Sequence, residues 1–298
     1  MQKIVPNLWF DHVAVEAVDF YLAAFPNARK LATQYYPMEG LLDFQEELAG
    51  KELTVDFEIA GFRFVAINAG PEFTPTPSLS FLLNFDPSQD PDARAHLDDL
   101  WDALGDGGTA LMPLDSYDFS PHYGWMQDRY GISWQLMLTN PEGEPRPFIT
   151  PDLLFGGPAQ NRAAEAASFY VDTFPGSRVG TDMRYPVQAG PAAPGSVMFT
   201  DIEVFGQWFA LMDSAADQDF TFNPAVSLMI LCEDQPEIDR YWEALSRVPE
   251  AEQCGWCTDQ FGVSWQIVPA NMESFMTTPD SFPKLLSMRK IDIAAFTA

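Results

Sequence analysis

The chain is short of positive charge, of cysteine and of histidine. Lys and Arg number 16 against 43 Asp and Glu, a net charge of −27. Phosphate recognition needs clustered Lys and Arg, so neither nucleic acid nor an anionic membrane surface is expected as a partner. The acidity reads first as a solubility device, suited to a salty or mildly halophilic setting, and second as an acidic surface for a basic partner. No run of 18 or more apolar residues occurs, which argues against a membrane span. The opening MQKIVPNLWF has no charged-then-apolar leader pattern, so the expected location is cytoplasmic. Three cysteines, Cys232, Cys254 and Cys257, are too few for a disulfide framework. Cys254 and Cys257 form a CxxC on a strand entering a hairpin. That is not the helix start where such a pair becomes reactive, and two further zinc ligands are missing, so packing is the preferred reading. His12, His96 and His122 all fall in the first half, so the second half has no Ser-His-Asp set. Neither a P-loop nor GxGxxG appears, which removes the usual cradles for nucleotides.

What is present is a duplication. Gly124–Gln135 reads GWMQDRYGISWQ, and Gly255–Gln266 reads GWCTDQFGVSWQ. Seven of the twelve positions are identical at an offset of 131. Each copy reads as a β-hairpin: Asp128 opens the turn, Gly131 closes it, and a β-rich strand follows. In that strand Ile132, Trp134, Leu136 and Leu138 share one face, and Ser133, Gln135 and Met137 the other. A length of 298 residues fits two domains.

The rest of the chain aligns in two columns. Ile4–Phe10 matches Ile149–Phe155 at an offset of 145. EAVDFYLAAFPNAR from Glu16 matches EAASFYVDTFPGSR from Glu165 at 149, with the extra residues in a loop between Gly156 and Ala164. Ala14, Ala17, Val18, Tyr21 and Phe25 have helical spacing, and Pro26 stops that helix. Leu53–Ile59 and Phe62–Asn68 pair through Ala60-Gly61 as a hairpin. Asp90 with Pro91 is expected to cap a second helix, whose buried stripe includes Leu97, Leu100, Trp101 and Leu104. Each half therefore reads β-α-β-β-β twice. The expected fold class is α+β: four βαβββ units forming two tandem domains, 1–144 and 148–298, with curled mixed sheets. Pro145–Pro147 is the linker, and Pro283–Ala298 a docked helical end.

Leu8-Trp9-Phe10, Glu16-Ala17, Phe20-Tyr21, Phe25-Pro26, Gln253–Trp256, Asp259, Phe261-Gly262 and Ser264–Gln266 carry a resemblance that spans essentially the whole chain. It resembles the vicinal oxygen chelate superfamily of glyoxalases, bleomycin-resistance proteins and dioxygenases. Within that superfamily it is most similar to the PhnB-like group labelled 3-demethylubiquinone-9 3-methyltransferase. The resemblance implies two tandem glyoxalase-like domains. In metal-dependent members, inward His, Gln or Glu come from four strands. Carried over by motif, those positions fall at or beside Pro6 and Pro151, among Phe64–Ala66 and Phe209–Leu211, on Ser80 and Ser227, and on Gln135 and Gln266. Proline and apolar residues cannot ligate, so no metal and no other cofactor is expected.

The residues expected to line the two cups are Trp9, Ser80, Trp134 and Gln135 in the first half, and Ser227, Trp265 and Gln266 in the second. Core packing for the tryptophans, and a strand-bridging amide for the glutamines, are the competing structural roles. Asp56, Glu58, Asp201, Glu203 and Asp213 are the carboxylates open to a general-base role, with Asp56 and Glu58 expected to face solvent. No catalytic residue is assigned. The expected function is metal-free binding of an aromatic or apolar small molecule. The alternative is an enzyme of the PhnB-like group acting on an aromatic or quinone-like substrate, and a metal-dependent glyoxalase or dioxygenase is disfavoured. Self-association as a homodimer is left open.

Overall fold

The computed structural model describes residues 2–297. The first quarter holds β1 (Ile4–Asp11), α1 (Ala14–Ala24), β2 (Ala28–Tyr35), β3 (Glu52–Ile59) and β4 (Phe62–Ala69). The second holds β5 (Leu79–Phe85), α2 (Ala93–Gly105), β6 (Thr109–Tyr117), β7 (Ser120–Gln127) and β8 (Ser133–Leu138). The third holds β9 (Ile149–Phe155), α3 (Ala163–Thr173), β10 (Arg178–Arg184), β11 (Val197–Val204) and β12 (Gln207–Asp213). The fourth holds β13 (Val226–Cys232), α4 (Gln235–Leu245), β14 (Trp256–Thr258) and β15 (Ser264–Pro269). A tail follows with α5 (Ser281–Ser287) and α6 (Ile293–Thr297), the docked helical end expected there; Ala298 lies outside the described residues. Three quarters are βαβββ, and the fourth is one strand short. Residues 246–255 carry a 3-10 turn at Pro249–Ala251 instead, because SRVPEAEQ has no alternating apolar face and Pro249 cannot donate to a ladder.

The α+β class holds, as two mixed sheets. One runs β14-β15-β13-β1-β4-β3-β2, the other β10-β11-β12-β9-β5-β8-β7-β6. At the middle of the first, β1 runs antiparallel to β13; at the middle of the second, β5 runs antiparallel to β9. Strand pairing therefore joins the first quarter to the fourth and the second to the third. Each compact unit takes strands from both sequence halves, 1–144 and 148–298. Unit one comprises residues 1–22, 28–74 and 223–298, and unit two 23–27 and 75–222. Both sheets are open, and the curl expected from the sequence is not carried to closure. Their end strands are short, as β14 is, or interrupted by register shifts, as β2, β6 and β10 are, and such bulges end pairing.

Helices cover one face of each sheet. Tyr21 of α1 is fully buried and stacks on Phe57 of β3, ring centroids 5.8 Å apart. Leu97, Leu100 and Leu104 form the buried stripe of α2, which packs on β5, β7 and β8. In that packing Gly124 lies under Trp101, and a Cβ there would fall 2.4 Å from the indole ring. The helix starts later than the sequence suggests: Asp90 caps the preceding turn, accepting from the Asp92 N–H at 3.0 Å, and α2 begins at Ala93.

The repeated hairpin is explained by one carboxylate. Asp128 Oδ1 accepts the N–H groups of Tyr130 and Ile132 at 2.8 and 3.0 Å, while Oδ2 accepts the Trp134 indole N–H at 2.8 Å. Asp259 repeats this with Phe261, Val263 and Trp265 at 2.8, 3.0 and 2.9 Å. Gly131 and Gly262, at φ 84 and 92, take the left-handed position that closes each turn. The motif thus fixes a turn and buries a tryptophan behind it.

Candidate functional site

On the face turned away from the helices, the β5–β9 seam of unit two gathers polar side chains into a buried network. Antiparallel register sets Ser80 opposite Asp152, and Gln135 enters from β8. Gln135 Nε2 donates to Asp152 Oδ2 at 2.6 Å and to Ser80 Oγ at 2.8 Å. Ser80 Oγ in turn lies 3.4 Å from the same carboxylate oxygen. Tyr123 of β7 donates its hydroxyl to Gln135 Oε1 at 2.7 Å. Asp152 and Ser80 are fully buried, and Asp152 Oδ1 has no hydrogen-bond partner.

A carboxylate taken out of water resists ionisation. Burial pushes the Asp152 carboxyl up to about 7, against the opposing pull of its Gln135 and Ser80 hydrogen bonds. Burial, and then the charge of Asp152, also pushes the Tyr123 phenol far above its ordinary range. Tyr123 stays a neutral donor, and Asp152 changes charge close to neutrality. Beside this network Tyr117 and Phe119 stack on each other at 5.6 Å and meet the Tyr123 ring edge-on at 5.6 and 4.9 Å. Phe119 is 62% exposed.

Unit one repeats the geometry with different chemistry. The β1–β13 seam sets Asn7 opposite Ser227, and Gln266 Nε2 donates to Ser227 Oγ at 3.0 Å. Asn7 stands where unit two has Asp152, 145 residues earlier, and Cys254 where it has Tyr123, 131 residues later. Neither carboxylate nor phenol is repeated there. Val5, Val65 and Leu231, packed with Ile67, Met229 and Val268, form an apolar cluster on this face. Trp9 lies at its side, edge-on to Phe73 and Trp256 at 5.0 and 6.1 Å, with its indole N–H on the Gly70 carbonyl at 2.7 Å.

The expected cup residues thus divide. Ser80 and Gln135 come together in unit two, and Ser227, Gln266 and Trp9 share one face of unit one. Trp134 and Trp265 point the other way, each bound to the aspartate of its own turn, and have the core-packing role. Asp152 is not among the carboxylates read from the sequence: the first-strand position falls at or beside Pro151, and only the proline, which cannot ligate, is weighed there. Its signal is a lone acid in the otherwise apolar ITPDLLF, at the position where the first repeat has Asn. Asp56, expected in solvent, is buried and paired with Arg63 at 2.7 Å. Asp201 is buried beneath Arg146 at 2.7 Å, and Asp213 accepts the Ala163 and Val197 N–H groups at the start of α3 and β11. His122 faces α2, 2.5 Å from Asp98, and not the network.

The superfamily's metal chemistry can be tested against these donors. The network of unit two offers one carboxylate, the Ser80 hydroxyl and an amide oxygen already held by the Tyr123 hydroxyl, and Ala210 stands beside Asp152 on β12. Among the described residues no three His, Cys, Asp or Glu side chains gather to hold an ion. The residues do not fit a divalent metal. No helix among the described residues is long and apolar enough to cross a membrane.

Comparison with known proteins agrees with this architecture. The PhnB protein from Bacillus cereus is 30% identical over 46% of this chain and 100% of its own, with a TM-score of 0.39. Glyoxalase I from Zea mays is 11% identical and covers 97% of this chain and 98% of its own, with a TM-score of 0.51. A single-residue mutant of that enzyme gives 0.53 at 12% identity, covering 90% of this chain and 94% of its own. At such identity the maize enzyme speaks for the fold alone, that of tandem glyoxalase-like domains. No curated protein matches the chain. With its two segments, 2–137 and 147–268, both matched, the chain belongs to the family described as 3-demethylubiquinone-9 3-methyltransferase.

Proposed function

We propose that this protein binds a small aromatic or apolar organic molecule without a metal ion, on the inner face of unit two, with Asp152 as its polar anchor. The observation that carries the reading is the fully buried Asp152 carboxyl with one oxygen unpartnered. A dry acceptor of this kind costs about 1–3 kcal/mol, and small-molecule sites are built from apolar walls with a few such groups. The test is a thermal-shift panel of quinones, aromatic antibiotics and S-adenosylmethionine on the wild type and on Asp152→Asn, with elemental analysis of the same preparation. Support is a compound that raises the wild-type Tm by several degrees and leaves the variant unmoved. Stoichiometric transition metal, or a panel without any shift, overturns the reading.

One observation favours a second reading, an enzyme acting on an aromatic or quinone-like substrate. A carboxyl titrating at about 7 is matched to general-base work at neutral pH. Turnover of a panel compound, lost in Asp152→Asn and following a pH profile that rises through neutrality, separates catalysis from binding.

A further inference from the structure

We infer that the ligand of unit two presents a hydrogen-bond donor, an O–H or N–H fixed to a flat ring, to Asp152. The inference rests on the binding reading above and narrows its chemical class. The hydrogens of the network are already committed. Both Gln135 amide hydrogens go to Ser80 and Asp152, the Ser80 hydroxyl turns to Asp152, and the Tyr123 hydroxyl goes to Gln135. What remains are lone pairs, those of Asp152 Oδ1 and of the Tyr123 oxygen. With Asp152 ionised, these four side chains accept and do not donate. A ligand whose only polar group is a carbonyl or ether would set acceptor against acceptor and leave the buried oxygen dry.

The aromatic part follows from the neighbours. Tyr117 and Phe119 present ring faces and edges beside Tyr123, so a flat body can lie against them while its donor reaches inward. Unit one lacks this selectivity. Asn7 carries donors as well as an acceptor, so its face does not discriminate by the same rule.

The test compares 2-naphthol with 2-methoxynaphthalene, which share a ring system and differ in the one donor hydrogen. Binding of each to the full chain is followed by calorimetry at pH 8.5. The naphthol is expected to bind at least about tenfold tighter, the scale of one charge-assisted hydrogen bond. In Asp152→Asn, Gln135 keeps the amide oxygen and the new NH2 faces the ligand, so the preference falls to parity. If neither probe binds, the binding reading itself falls. Equal binding of both to the wild type overturns the donor inference and leaves the binding reading standing. So does a preference that survives in an Asp152→Asn chain of unchanged circular dichroism, since the probe then binds elsewhere. The wild-type comparison requires no variant to fold.

Discussion

Replacing Asp152 by Asn should change how stability depends on pH, and the sign and size follow from its surroundings. Burial raises the folded-state carboxyl from its ordinary 3.8 to about 7. Between those values the unfolded chain has released this proton and the native chain still holds it. Stability from this group is therefore fully present below about pH 4, falls as pH rises, and is lost above about 7. Each unit is worth about 1.4 kcal/mol, so from pH 5 to pH 8.5 the wild type should lose about 3 kcal/mol that the variant keeps. The asparagine has its own cost, about 1–3 kcal/mol for an NH2 without a partner, but that cost is equal at both pH values and cancels. Asp56 and Asp213, also raised by burial, titrate alike in both proteins. Urea unfolding followed by tryptophan fluorescence at pH 5, 7 and 8.5 measures the difference. Parallel curves, with the gap between the proteins changing by less than about 1 kcal/mol, would refute the claim that Asp152 is buried and titrates near neutrality.

Three more expectations are open to test. Asp128→Ala strips three donors of one partner, two backbone N–H groups and an indole, the Ile132 N–H and the indole being buried, and should cost at least about 3 kcal/mol in urea unfolding; a loss below about 1 kcal/mol would mean the turn holds without its carboxylate. Gly124→Ala drives a methyl into Trp101 and should cost about 1–3 kcal/mol, whereas Ala at Gly176, where nothing lies within 4 Å, should cost only the strain of its φ of 76. Arg146→Ala leaves Asp201 buried with one backbone donor and uncovers Trp208, over which Arg146 lies at 3.9 Å; faster proteolysis between residues 140 and 148 is expected, and an unchanged rate would show that the linker is held by other contacts.

The repeat was legible because it is written in side-chain identity: the aspartate, glycine and tryptophan of the hairpin are the three groups its turn needs. Helix faces and hairpins were legible for the same local reason. The pairing of quarters was not. Ile4–Phe10 and Ile149–Phe155 are near copies, and nothing in either strand names the edge it will meet, so β1 with β13 and β9 with β5 could be read only from coordinates. The lost strand of the fourth quarter was not read, because the repeat supplied a full βαβββ there; its signal is the proline and the missing alternation of SRVPEAEQ. At the site, Gln135 and Ser80 were found because an amide and a hydroxyl stand out on buried strands. Asp152 was missed because the first-strand position, read at or beside Pro151, was judged on the proline alone, and in a strand neighbouring residues face opposite sides. Alternation also separated Trp134 from Gln135 within the sequence itself, and the structure keeps them on opposite faces.

The tail has a role beyond docking. In unit two the outer side of β7 is occupied by β6, and the matching side of β14 has no such strand. Cys254 and Gly255 instead donate their N–H groups to the Met288 and Arg289 carbonyls at 2.8 and 2.7 Å, and the Arg247 N–H meets the Thr258 carbonyl at 2.9 Å. The C-terminal segment thus occupies backbone donors beside that edge. A recombinant chain shortened before Met288 would leave unpaired amides at the rim of a sheet, the kind of surface on which identical molecules join. Shortened preparations should therefore grow in mass with concentration on light scattering, while the intact chain keeps one value.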